Sequence, residues 1–221
     1  MDAVQAPAHV RSDLDRRIEL VSMDRFCEDI TVALYLVGDR TSATVHSYGG
    51  RAAVPARLAW LAEAMQVLGG MRSSGDDGRT VGFTCGSWHE LAARRAFLEA
   101  CKVDPANPLA IRPLATNDAR TGQYITVVPL GNGGYHVGAV AEDPAAESRA
   151  PAVAAGLVKL AGLDTDRDHP TIVRFSCGAP HDELVGLLLP RAINVRAALR
   201  EIEQAAGRGV LVAPSAQEAG A

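Results

Sequence analysis

The sequence is short of lysine, cysteine and net positive charge, and each shortage narrows what the chain can do. Only Lys102 and Lys159 are lysines among 22 basic residues, against 26 acidic ones, giving a net charge of −4. A surface that tracks phosphates needs a basic excess, so nucleic acid is excluded as the main partner. Arginine suits carboxylates and phosphates, but its dominance here accompanies 38 alanines and reads as a compositional bias. Four cysteines, Cys27, Cys85, Cys101 and Cys177, contain no CxxC pair and are too few for a disulfide scaffold. The first residues lack the basic-then-apolar pattern of a secretory signal, which predicts reduced thiols and a cytoplasmic location.

Long apolar runs are also missing. The stretch 121–141 carries no charge, yet Pro129, Asn132 and five glycines interrupt it, and its β-branched residues cluster on either side of a turn. It reads as a buried hairpin rather than a membrane span, so no membrane partner is expected. What is present is the composition of an ordinary globular protein, 48% hydrophobic and 22% charged over 221 residues. That length can bury a sizeable core without metal or disulfides.

The most informative feature is self-similarity. FTCGSWH at 83–89 aligns with FSCGAPH at 175–181, matching Phe83 with Phe175, Cys85 with Cys177, Gly86 with Gly178 and His89 with His181. The same 92-residue offset places Leu61, Met65 and Leu68 on Val153, Leu157 and Leu160, the i, i+4, i+7 stripe of an amphipathic helix, and Gly70 on Gly162. DITVALY at 29–35 matches YITVVPL at 124–130 after a small shift.

Each half reads in the same order. Strands are predicted over 18–23, 29–37 and 43–48, a helix over 52–68 stopped by Gly69 and Gly70, a polar loop, and a strand over 80–84. A helix then runs from about Ser87 to Cys101, its start set by a Ser87–Glu90 capping box. The second half gives strands over 109–114, 124–130 and 135–141, a helix over 148–161, a strand over 171–176 and a helix from about Pro180. Pro190 is expected to break or kink that helix, and a further helix runs from about Arg191 to Ala206. The expected fold is therefore α/β of the α+β type, with two tandem β-β-β-α-β-α repeats related by a pseudo-twofold and an extra C-terminal helix. Residues 1–17 read as a flexible extension, 18–103 as the first repeat, 109–206 as the second and 207–221 as a tail.

The repeated strand–Cys–Gly–x–x–His–helix segment is the leading candidate site. A cysteine between a strand end and a helix start faces free amides and the positive end of the helix dipole, which favours the thiolate. Cys85 and Cys177 then read as nucleophile or acid/base, with His89 and His181 relaying protons. Gly86 and Gly178 allow close backbone approach, Ser87 and Trp88 could line the site, and His46 and His136, in strands of the two halves, form a second candidate pair. The helix starts and arginines suit a small anionic ligand, so the leading reading is a small-molecule binding or thiol-dependent enzyme site.

Two readings compete with it. Cysteine is among the most buried residue types, so both thiols could be inert core in a non-catalytic pseudo-dimeric scaffold or protein-interaction module. Alternatively, Cys85, His89, Cys177 and His181 form a tetrahedral zinc site joining the repeats, although Cys-x-x-x-His is a loose spacing and the halves need not meet. Only this third reading calls for a cofactor. Other signals fail on inspection. GNGG at 131–134 lies between strands and is a turn, not a phosphate loop. Asp164, Asp166 and Asp168 mimic a calcium loop until His169 replaces the required glycine and Phe175 the required glutamate.

Overall fold

A computed structural model of the chain describes residues 20–26, 30–37, 41–50, 55–106, 115–118, 123–139 and 144–208. Among them lie two five-stranded antiparallel sheets, five helices of 11 to 15 residues and one single-turn helix. The fold is mixed α+β. The first sheet contains β1 (Leu20–Met23), β2 (Ile30–Leu36), β3 (Ser42–Gly50), β4 (Met71–Ser73) and β5 (Thr80–Phe83) in the order β1-β2-β3-β5-β4. The second contains β6 (Ala115–Asp118), β7 (Gln123–Gly131), β8 (Gly134–Ala139), β9 (Asp164–Thr165) and β10 (Ile172–Arg174) in the order β6-β7-β8-β10-β9. In both, a three-strand meander is followed by helix, edge strand and a final strand inserted beside the third.

The helices are α1 (Pro55–Gly69), α2 (Glu90–Ala100), α3 (Pro144–Glu147), α4 (Ala150–Ala161), α5 (Asp182–Ala192) and α6 (Val195–Arg208). Leu58, Leu61 and Met65 of α1 are buried, as are Val153, Leu157 and Leu160 of α4, so the apolar stripes face the interior. α1 packs on β3, β4 and β5, while α4 packs on β8, β9 and β10. The helices also pack across the halves, α1 against α5, α2 against α4, and α2 against α5, which places one continuous apolar core around them. At Gly156 of α4 a Cβ would come within 2.6 Å of the Ala192 carbonyl oxygen, so the close α4–α5 approach requires glycine.

The hairpin reading of 121–141 holds over its described part. β7 pairs with β8 around Asn132 and Gly133, whose φ values of 47° and 66° belong to the left-handed turns that join twisted antiparallel strands. No helix among the described residues is long and apolar enough to cross a membrane.

Several boundaries differ from expectation, each for a local reason. α2 starts at Glu90 with His89 as its N-cap and no side-chain cap bond, because the Ser87 amide is committed to the Cys85 sulfur instead. Edge strands β4 and β9 lie in segments expected to be polar loops; both are short and largely exposed, so they carry no apolar alternation. Pro190 sits inside α5 near its end, where the helix stops two residues later and little is left to break. The strand expected over 109–114, the extension 1–17, Val54 and Cys27 lie outside the described residues; of the tail expected over 207–221, Gly207 and Arg208 instead close α6 and the rest lies outside them.

Candidate metal centre

The Cys–Gly–x–x–His segments follow β5 and β10 and end at the first residues of α2 and α5. In each, the glycine after the cysteine takes a left-handed conformation, with φ +76° at Gly86 and +72° at Gly178. A side chain would find this backbone costly, which explains the glycine. The turn folds the following amide back onto the sulfur. The Ser87 N–H donates to Cys85 Sγ at 3.3 Å and the Ala179 N–H to Cys177 Sγ at 3.4 Å. Four residues after each cysteine, the histidine returns its Nε2 to the same sulfur, at 3.3 Å in both segments.

The two segments meet. The His89 and His181 ring centroids are 4.8 Å apart, edge to face, and Phe83 and Phe175 pack against both imidazoles. One candidate ligand atom from each of Cys85, His89, Cys177 and His181 lies within 4.8 Å of the others. The imidazoles are buried, 7% and 2% exposed, whereas both cysteines are half-buried. No protein-family model matches the chain, and no curated protein or solved structure matches it either. The site has to be read from its own chemistry.

Burial sets the protonation of the histidines. It holds His89 below the ordinary imidazole value, and pushes His181 down to about 4, with the neighbouring His89 acting in the same sense. The Cys177 thiol is pushed up, chiefly by burial and further by Cys85, with the Ala179 amide partly offsetting both. Two neutral imidazoles and two sulfurs at this separation form a donor set of the kind that holds zinc. With Zn–S near 2.3 Å and Zn–N near 2.0–2.1 Å, the edges of a tetrahedron measure roughly 3.3–3.8 Å. The Cys–His edge within each segment, at 3.3 Å, already falls there, and a separation at the 4.8 Å limit needs to close by about 1 Å.

Around this centre, a third aromatic acts on the backbone. Tyr135 Oη accepts the His181 N–H at 2.6 Å and donates to Asp182 Oδ1 at 2.8 Å, anchoring the start of α5. The turn at Gly133 lies against the Cys177 segment so closely that a Cβ there would come within 2.8 Å of the Ala179 carbonyl oxygen. Neither contact has a signal in the sequence beyond the glycine itself.

The remaining predicted site residues divide. Ser87 and Gly86 belong to the first sulfur-binding turn and Gly178 to the second. Trp88 packs on Phe83 with ring centroids 5.7 Å apart, and its buried indole N–H meets no acceptor. His46 and His136 are not brought to the cluster. They stand opposite Ala33 of β2 and Val128 of β7, residues matched in the alignment of the two halves; His136 also faces Ile172 of β10, and His46 packs edge-on against Tyr35.

At the other end of α2 and α5 lies a charged cluster that sequence reasoning missed. Fully buried Arg95 pairs with Glu99 and with Glu201 of α6, while Arg191 of α5 donates to Glu99 at 2.9 Å and Lys102 pairs with both acids. The Arg191 hydrogen bond, with Arg95 and Lys102 nearby, overcomes burial and holds the Glu99 carboxyl down at about 2. Only the equal offset separating Glu99 from Arg191, again 92 residues, could have drawn attention to the pair.

Proposed function

We propose that Cys85, His89, Cys177 and His181 bind one zinc ion that joins the two halves of a duplicated chain, making this a zinc-stapled scaffold. The observation that carries this reading is the convergence of four ligand atoms from two segments 92 residues apart within 4.8 Å. Two thiolates and two neutral imidazoles balance the charge of Zn²⁺, so the centre can be buried without leaving a net charge. The two amides donated to the sulfurs supply the outer hydrogen bonds that thiolate ligands use.

The duplication proposal draws on the matched Cys-Gly-x-x-His segments, on the common strand order of the two sheets and on the reciprocal helix contacts. In that reading the pseudo-twofold passes between α2 and α5, and residues 18–103 and 109–206 are the two repeats. A four-ligand set leaves zinc no open position, which makes the metal structural rather than catalytic. Thiol catalysis at the same residues fits less well. A thiolate–imidazolium pair needs a charged histidine, and both rings are enclosed by phenylalanines. The reduced thiols this centre needs agree with a cytoplasmic location.

Metal analysis of the purified chain tests the reading. The expected result is one zinc per chain. Cobalt(II) replacing it should give the visible bands of tetrahedral coordination and a thiolate charge-transfer band, both lost in Cys85→Ser. Alkylation of Cys85 and Cys177 should be slow until a chelator is added. Absence of stoichiometric metal, with rapid alkylation whether or not chelator is present, would overturn zinc in favour of a reactive thiol.

A further inference from the structure

The two sulfurs of the centre are placed differently from its two nitrogens. His89 and His181 are enclosed by Phe83 and Phe175, whereas Cys85 and Cys177 are half-buried and lie on turns whose glycines are exposed. A Cβ at Gly86 or at Gly178 would meet nothing within 4 Å, so both turns have open space beside them. The sulfurs belong to the group of atoms gathered within 4.8 Å, one from each half of the chain. The third described cysteine is the opposite case. Cys101 is 2% exposed, and burial pushes its thiol up to about 12.

We propose that Cys85 and Cys177 form a peroxide-oxidisable pair that closes into a disulfide between the two halves and expels the metal. The metal-release part rests on the zinc reading above; the disulfide itself does not. The chemistry needs a hydroperoxide as the two-electron oxidant. One thiolate attacks a peroxide oxygen and the O–O bond breaks, leaving a sulfenic acid and a hydroxide that is protonated to water. The second thiolate attacks the sulfenic sulfur, the S–S bond forms and the S–O bond breaks, releasing a second hydroxide that also becomes water. For hydrogen peroxide the sum is two thiolates, one peroxide and two protons giving one disulfide and two waters. A zinc ion held by those thiolates loses half of its ligands and both charges that balanced it, so it leaves as Zn²⁺.

Closing the bond requires the sulfurs to move together to about 2 Å. The open space at Gly86 and Gly178 is where that movement is taken up. The halves stay joined throughout, first by metal and then by a covalent bond between the same two positions. Oxidation therefore exchanges one cross-link for another instead of releasing the halves.

The experiment treats the full-length chain as purified with hydrogen peroxide. Metal release is followed with a chromogenic chelator, and the products are mapped by non-reducing peptide mass spectrometry. A Cys85–Cys177 linked peptide that appears with peroxide, disappears with dithiothreitol and forms in step with one zinc released per chain is the expected result. Cys101→Ser should leave the link and its rate unchanged, whereas Cys177→Ser should abolish the link and leave Cys85 as sulfenic acid. Intact thiols under peroxide, or higher oxides of single cysteines without the link, would overturn the proposal. A chain that holds no zinc but still forms the link would refute the metal reading and leave the oxidisable pair standing. Should Cys177→Ser fail to fold, the peptide map of the unmodified chain decides alone.

Discussion

Replacing His181 with alanine should remove two stabilising contributions that respond to different variables. The imidazole is 2% exposed and packs between Phe83, Phe175 and His89, so its loss leaves a cavity in a rigid aromatic setting. A void of roughly 70 Å³ costs about 2 kcal/mol at ~24 cal/mol per Å³, whether or not metal is present. The second contribution is metal linkage. Zinc buffered a thousandfold above its dissociation constant stabilises the native chain by about 4 kcal/mol. At about 2–4 °C per kcal/mol for a chain of this size, His181→Ala should lower Tm by about 4–8 °C in chelator. In buffered zinc the loss should roughly triple. Differential scanning calorimetry of both proteins in both buffers measures the four values required. An equal loss with and without zinc would refute the metal linkage and leave His181 as a packing residue. A loss confined to zinc would refute the cavity argument.

Two further outcomes follow from the surroundings. With the Glu99 carboxyl displaced from 4.5 to about 2, at about 1.4 kcal/mol per pH unit its pairing contributes about 3 kcal/mol, present above pH 4.5 and lost as pH falls towards 2. In metal-free buffer, denaturation of the wild type and Glu99→Gln should therefore differ most near neutrality and converge in acid; a gap that does not change with pH would count against this. Gly133→Ala places a side chain against the Ala179 backbone at positive φ. It should cost about 1–3 kcal/mol in stability and weaken zinc in a competition titration, while an unchanged affinity would show that the turn does not position Cys177.

Much of the fold was legible because its elements are made locally. The stripes of α1 and α4, the glycine stop after α1 and the turn between β7 and β8 are short-range patterns that packing then used. The capping box failed for an instructive reason. Ser87 and Glu90 have the right spacing, but the left-handed Gly86 directs the Ser87 amide to the Cys85 sulfur, and that sulfur is not part of any helix rule. β4 and β9 left no trace because exposed edge strands of three and two residues have no face to alternate. Repetition picked out the four side chains that gather into one cluster, and nothing in the spacing could say that they meet. Their meeting depends on how α2 packs against α5, a contact between distant segments that no local pattern encodes.

That packing has an electrostatic consequence. His89 lies beside His181 where α2 and α5 begin, and Glu99 pairs with Arg191 where they end, so the two helices run in the same direction. Parallel neighbours align their dipoles side by side, gathering partial positive charge at one end and partial negative charge at the other. Unrelieved, the two helices would repel along their whole length of about 15 Å. The sequence grades its charges against this. Glu90, Asp182 and Glu183 occupy the first turns, while Lys102 and Arg191 lie at the far end. The Cys85 and Cys177 sulfurs, which accept the Ser87 and Ala179 amides, lie at that same positive end.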